Sequence, residues 1–158
     1  MKHPKSTSLR LATVFGASPR PRLDLLVNDF TWKAWKDKCL VLFESHFRRN
    51  YIHVADVCYI IMFFLRRGGE GEIYNVGLND ANLTKKELAL CIQEILPETT
   101  IIESEIGTDP DKRDYIVSNK KLKDTGCLSM QHSIKDGIQE LISMFPMIDT
   151  VDYKLRNS

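Results

Sequence analysis

The 158 residues carry 43% hydrophobic and 27% charged side chains, the make-up of a soluble globular domain of ordinary size rather than of a disordered or fibrous chain. Lys and Arg number 22 against 21 Asp and Glu, a formal charge of +1, so no global field favours nucleic acid or an acidic membrane surface and any anion site must be local. The most apolar run, 57–65, lies between Asp56 and Arg66 and falls far short of the roughly 20 residues that span a bilayer.

The first residues lack the apolar core of a secretory signal, which points to the cytoplasm. Cys39, Cys58, Cys91 and Cys127 are too widely spaced for a zinc site and suit reduced, mostly buried thiols. Leu9, Leu11 and Val14 predict one strand over 8–16, and the prolines of 17–22 then make a loop that carries Arg20 and Arg22. Leu23, Leu26, Val27, Phe30 and Ala34 fall at helical intervals, with Trp32 and Trp35 widening the stripe. Residues 38–43 read as a strand. A second strand covers 49–54, with Arg49, Tyr51 and His53 on one face and Ile52 and Val54 on the other. Asp56 is placed to cap a helix whose Val57, Ile60, Ile61, Phe64 and Leu65 form one buried stripe, ended by the glycines that follow Arg67.

A strand over 72–77 comes next, and then Thr84 with Glu87 three residues on, the signature of a capping box. Leu88, Cys91, Ile92 and Ile95 supply the core face of that helix up to Pro97. The remainder reads as a strand over 99–106, a polar loop entering a short strand over 109–117, a short helix over 118–126 and a last helix capped by Ser133. This order is an alternating α/β arrangement in one structural unit, and only the two ends look loose.

Arg49, Tyr51 and His53 on one strand face could meet a phosphate, because a guanidinium offers a planar fork of donors that matches its oxygens. A solvated strand face reads equally well from the pattern. Arg20, Arg22 and Arg113 lie in loops that abut regular elements, where binding residues concentrate, although exposed arginines also serve solubility. No metal-ligand spacing, no Gly-x-Ser-x-Gly elbow and no supported Cys/His pair is present. The glycines of 68–71 follow a helix and precede a strand, the wrong order for holding a dinucleotide phosphate.

Six segments, RLATVFGASPRPR, RRNYIHVADV, GEIYNVG, LTKKELA, DKRDYIVSNKKL and SIKDGIQEL, stand in an order and at spacings that resemble the C-terminal half of the NAD-dependent epimerase/dehydratase family, the extended short-chain dehydrogenases that act on nucleotide sugars. The resemblance covers 8–145. It implies an α/β fold made of the late strands of a Rossmann-type sheet and a small mixed substrate lobe. It divides the chain into a flexible N-terminus (1–7), a substrate-binding part (8–146) and a C-terminal tail (147–158). It also implies a nucleotide-diphosphate sugar as ligand, with Arg49 on the diphosphate, Arg113 on the nucleotide and further contacts from Arg20 or Arg22. Thr13 stands at a substrate-binding position where many members have Asn. Asn50 replaces the usual Asp, Ala17 a Pro, and Ser129 a common Pro after Gly126; Asn50 and Thr13 bear on substrate fit.

Members of the family pair a Tyr-x-x-x-Lys with a Ser or Thr and hold NAD(P) on Gly-x-x-Gly-x-x-Gly. Four residues beyond Tyr51, Tyr59, Tyr74, Tyr115 and Tyr153 stand Ala55, Phe63, Leu78, Asn119 and Asn157, so no tyrosine has its lysine. The tyrosine needs that lysine to lower its pKa for proton transfer. The expectation is therefore the substrate-binding portion of a nucleotide-sugar epimerase or dehydratase, as a truncated chain or one half of a split enzyme. No catalytic residue, no cofactor and no turnover are expected for this chain alone. A sheet cut in this way exposes edges that a homo-oligomer, or a separate chain carrying the nucleotide-binding half, would cover. The alternative is a non-catalytic binding or assembly module that has kept the fold and lost nucleotide-sugar recognition.

Overall fold

The computed structural model describes residues 6–68, 71–108, 111, 113–127 and 132–148. In chain order the elements are β1 (Ser8–Leu11), β2 (Thr13–Phe15), α1 (Leu26–Asp37), β3 (Cys39–Leu42), β4 (Arg48–His53) and α2 (Val54–Arg67). They continue with β5 (Ile73–Val76), β6 (Asn82–Thr84), α3 (Lys85–Ile95), β7 (Thr100–Glu103), α4 (Lys120–Lys123) and α5 (Ile134–Met144), closed by a 3-10 turn at Phe145–Met147. The α/β alternation holds.

The stretch expected as one strand is two, because the chain changes partners at Ala12. β1 runs parallel to β5, whereas β2 runs parallel to β4 with Phe15 beside His53. β4 also pairs with β6, antiparallel, and sets Arg49 opposite Leu83. β3 pairs with β7, parallel. Residues 113–117 join no ladder, so the strand expected after the polar loop is absent. The expected C-terminal tail beyond 148, most of the expected N-terminal tail, and Ser129 lie outside the described residues.

β4 is buried on both faces, as strands inside parallel sheets are. Arg49, Tyr51 and His53 expose 3%, 0% and 1%, and Asn50 and Ile52 on the other face expose nothing, which removes the solvated-face reading. Burial pushes the Tyr51 phenol well above its usual range, and its hydroxyl finds no hydrogen-bond partner among the described residues.

Two cores flank these strands. Helices α1, α3 and α5 close one around Phe15, Phe30, Leu40, Leu88 and Ile138, with Trp32 edge-on to Phe145 at a centroid distance of 5.0 Å. Helix α2 closes the other with Ile52, Ile60, Phe64, Tyr74 and Val76. Only part of the predicted α2 stripe is inside: Val57, Ile60 and Phe64 are buried, but Ile61 is 41% and Leu65 70% exposed. Cys127 alone of the cysteines is buried, and Cys58 faces solvent.

The capping box of α3 forms as its spacing predicts: Glu87 N–H donates to Thr84 Oγ1 at 3.0 Å and Thr84 N–H to Glu87 Oε2 at 2.7 Å. Ser133 and Asp136 repeat it at α5. At α2 the cap differs from expectation. His53 is the N-cap, its Nδ1 accepting from Ala55 N–H at 3.3 Å. Asp56, in the first turn and 2% exposed, accepts instead from the His132 backbone N–H and ring Nδ1. Among the described residues no helix is long and apolar enough to cross a membrane.

Candidate functional site

Thr13, Arg20, Arg22, Arg49 and Arg113, spread over a hundred positions of sequence, border a single cavity of about 920 Å³. Its walls are the end of β2, the loop leading to α1, the first turns of α1, the C-terminal end of β3, the start of β4, and Thr108, Asp111 and Arg113. Six Lys and Arg side chains line it against three carboxylates, so it favours an anion.

Arg49 is the most enclosed of the four arginines. Its Nη1 donates to the Arg48 carbonyl at 2.9 Å and its Nη2 to the Asp111 carbonyl at 3.1 Å, and Nη2 also lies 3.0 Å from Asp111 Oδ1. The Tyr115 ring centroid lies 5.5 Å from the guanidinium. Arg113 grips the same carboxylate with a fork, Nε to Oδ1 at 2.7 Å and Nη2 to Oδ2 at 2.6 Å. That hydrogen bond, helped by the Arg49 charge, holds the Asp111 carboxyl well below the usual range against the opposing cost of burial. Arg22 is forked onto Asp24 in the same way, Nε to Oδ1 at 3.1 Å. Arg20 is exposed at the rim and Thr13 is half-buried.

The loop between β2 and α1 is held from inside by Asn28, 2% exposed, whose Oδ1 accepts from Gly16 N–H at 3.2 Å while Nδ2 donates to the Arg22 carbonyl at 2.9 Å. Neither Asn28 nor the buried Lys85 is singled out by sequence reasoning. Lys85 is 2% exposed and lines the cavity. Its Nζ donates to the Phe43 carbonyl at 2.9 Å and lies 5.6 Å from the Phe47 ring centroid. The pairing of Arg49 with Leu83 puts Lys85, two residues further, on the face that Arg49 occupies. That signal requires knowing β6 exists, and β6 is three residues long and merges into the capping box.

Asn50 does not border the cavity. Its side chain is wholly buried and donates to the Leu78 carbonyl at 2.6 Å, so its identity serves the fold. Gly68 caps the C-terminus of α2 with φ 85°, and that carbonyl-rich helix end repels phosphate rather than cradling it. Among the described residues no group of three or more His, Cys, Asp or Glu is arranged to hold a metal ion.

This arrangement of parallel strand pairs flanked by helices is the fold of Rossmann-like extended short-chain dehydrogenases/reductases. A sequence model of the NAD dependent epimerase/dehydratase family matches residues 3–77. Among solved structures, a dTDP-glucose 4,6-dehydratase from Bacillus anthracis in complex with NAD is 24% identical with a TM-score of 0.75, over 94% of this chain and 47% of its own. A UDP-glucose 4-epimerase from Thermus thermophilus, in complex with NAD, is 24% identical with a TM-score of 0.73, over 90% of this chain and 47% of its own. A UDP-glucose 4-epimerase from Thermotoga maritima with UDP-glucose is 23% identical with a TM-score of 0.73, over 89% and 46%. The chain thus spans about half the length of the solved structures it matches.

Proposed function

We propose that this chain is the substrate-binding portion of an NAD-dependent nucleotide-sugar epimerase/dehydratase, and that the cavity lined by Arg49 takes the diphosphate of a nucleotide sugar. The observation that carries this reading is Arg49 itself: a cation 3% exposed, bordering a cavity that also collects Thr13, Arg20, Arg22 and Arg113. A buried guanidinium with its fork already oriented by Asp111 loses little entropy on meeting phosphate oxygens. The family model and the UDP-glucose bound by the Thermotoga maritima enzyme support the ligand class.

In this reading the chain's residues bind and orient. NAD, when bound, would accept and return a hydride. Its pyrophosphate has no glycine-rich strand-to-helix turn among the described residues, and no tyrosine here is followed by a lysine four positions on. In this reading the dinucleotide and the catalytic pair are supplied by other polypeptide, and the chain alone is expected to turn over no nucleotide sugar. Among the described residues β1 pairs only with β5, and the exposed Leu11 on β1, at 47%, supports docking of a second copy or of the nucleotide-binding half along this edge. Four free cysteines are consistent with a reducing, cytoplasmic setting.

Calorimetry with UDP, and with UDP-, GDP-, dTDP- and CDP-sugars, tests the reading. Arg49→Ala should weaken the ligand that binds by about 1.5–3 kcal/mol, roughly ten- to a hundredfold, in protein shown by circular dichroism to stay folded. Unchanged affinity in that variant, or no binding of any of these ligands to the wild type, would leave the non-catalytic module as the better account.

A further inference from the structure

We propose that Glu140, on α5 and outside the cavity wall, is a positioning residue that acts with His53 to fix the loop presenting Ser18, Arg20 and Arg22 to the ligand. The inference rests on the cavity being the ligand site, as proposed above. Glu140 Oε2 accepts two hydrogen bonds at once, from His53 Nε2 at 2.7 Å and from the backbone N–H of Ala17 at 3.2 Å. The His53 proton must sit on Nε2, because its Nδ1 already accepts from Ala55 N–H.

His53 is a rigid post. It is 1% exposed, the Phe15 ring meets it edge-on at 5.4 Å, and the His132 ring stacks on it at 4.3 Å while bonded to Asp56. The loop runs directly over the imidazole edge: Gly16 has φ 110°, and a Cβ there would lie 2.3 Å from His53 Nε2. Glu140 is the bridge from this post to the next residue, Ala17. Asn28 holds Gly16 and the Arg22 carbonyl from the other side. The loop is thereby pinned at 16, 17 and 22, and the span between carries Ser18 and Arg20 at the cavity. Without Glu140, a buried imidazole N–H and the Ala17 N–H lose their common acceptor, while the Asn28 contacts to Gly16 and Arg22 remain.

Trypsin reads this loop selectively, since the bond after Arg20 precedes Pro21 and resists, whereas the bond between Arg22 and Leu23 is open to attack. Glu140→Ala should raise the rate of cleavage after Arg22 about tenfold, the population shift expected from losing an acceptor for a buried donor. Glu140→Gln, which keeps a carbonyl oxygen for both donors, should cleave at the wild-type rate. Cleavage after Lys38, beyond α1, should not change in either variant, and UDP affinity should fall several-fold in Glu140→Ala only. The proposal is overturned if cleavage after Arg22 is unaltered, if it rises equally after Lys38, if Gln behaves as Ala, or if UDP binds Glu140→Ala as it binds wild type. Failure of the wild type to bind UDP would strike the proposed ligand instead, with the cleavage rates still deciding the clamp.

Discussion

The side-chain amide of Asn50 donates to the backbone carbonyl of Leu78 at 2.6 Å, across a core in which Asn50 is wholly buried. The donor is essential to this contact. A carboxylate here would face a carbonyl oxygen at the same close distance, inside the core.

Asn50→Asp, the change that restores the residue usual in the similar family, should therefore destabilise this protein, by about 3 kcal/mol at neutral pH. The introduced carboxyl would be buried, with a folded-state pKa above its unfolded value of about 3.9, so the loss should be largest at neutral pH and shrink on acidification towards that value. Urea melts across this range check both size and direction. UDP affinity of the folded fraction should not change.

Lys85 places a buried charge on the wall of the cavity that Arg49 also lines. Lys85→Met, close in volume, should weaken UDP about tenfold or more while leaving the much weaker binding of uridine unaltered, because only the phosphates need the charge. Calorimetric titration of both ligands gives the comparison. An equal loss for both would assign Lys85 to packing.

Asp111 is the counter-ion of both Arg49 and Arg113. Its pKa is lowered, by the Arg113 hydrogen bond above all, so its stabilisation is complete above the unfolded value of about 3.9 and is lost as pH falls through the lower folded value. Asp111→Asn should cost about 2 kcal/mol at pH 7, a figure reduced by the side chain's 39% exposure, and the gap to wild type should close progressively below about pH 4. Equilibrium unfolding at several pH values measures it.

The β1 edge predicts assembly. Sedimentation at several concentrations should show self-association of the purified chain, reduced by replacing Leu11 with Lys. A stable monomer at high micromolar concentration without a partner would mean the edge closes on its own.

What could be read before folding was whatever depends on a few neighbouring residues. Thr84 and Glu87 form their capping box because both partners lie within one turn, and Arg49, Tyr51 and His53 share a strand face because side chains alternate. The cap of α2 was legible only in part: Asp56 had the right chemistry and the right distance, but the side chain that reaches Ala55 N–H is His53, while Asp56 is claimed by His132 from 76 residues away.

The sequence by itself determined the α/β order, the balanced charge that makes any anion site local, and the arginines worth testing. Only tertiary structure decided that Arg49 is enclosed rather than solvated, that Asn50 belongs to the core, and that Lys85 and Glu140 matter at all. The reason is physical. Propensity, capping and alternation act over one to four residues, whereas a cavity that gathers Thr13, Lys85 and Arg113 exists only after strand pairing has chosen β4 as the neighbour of both β2 and β6.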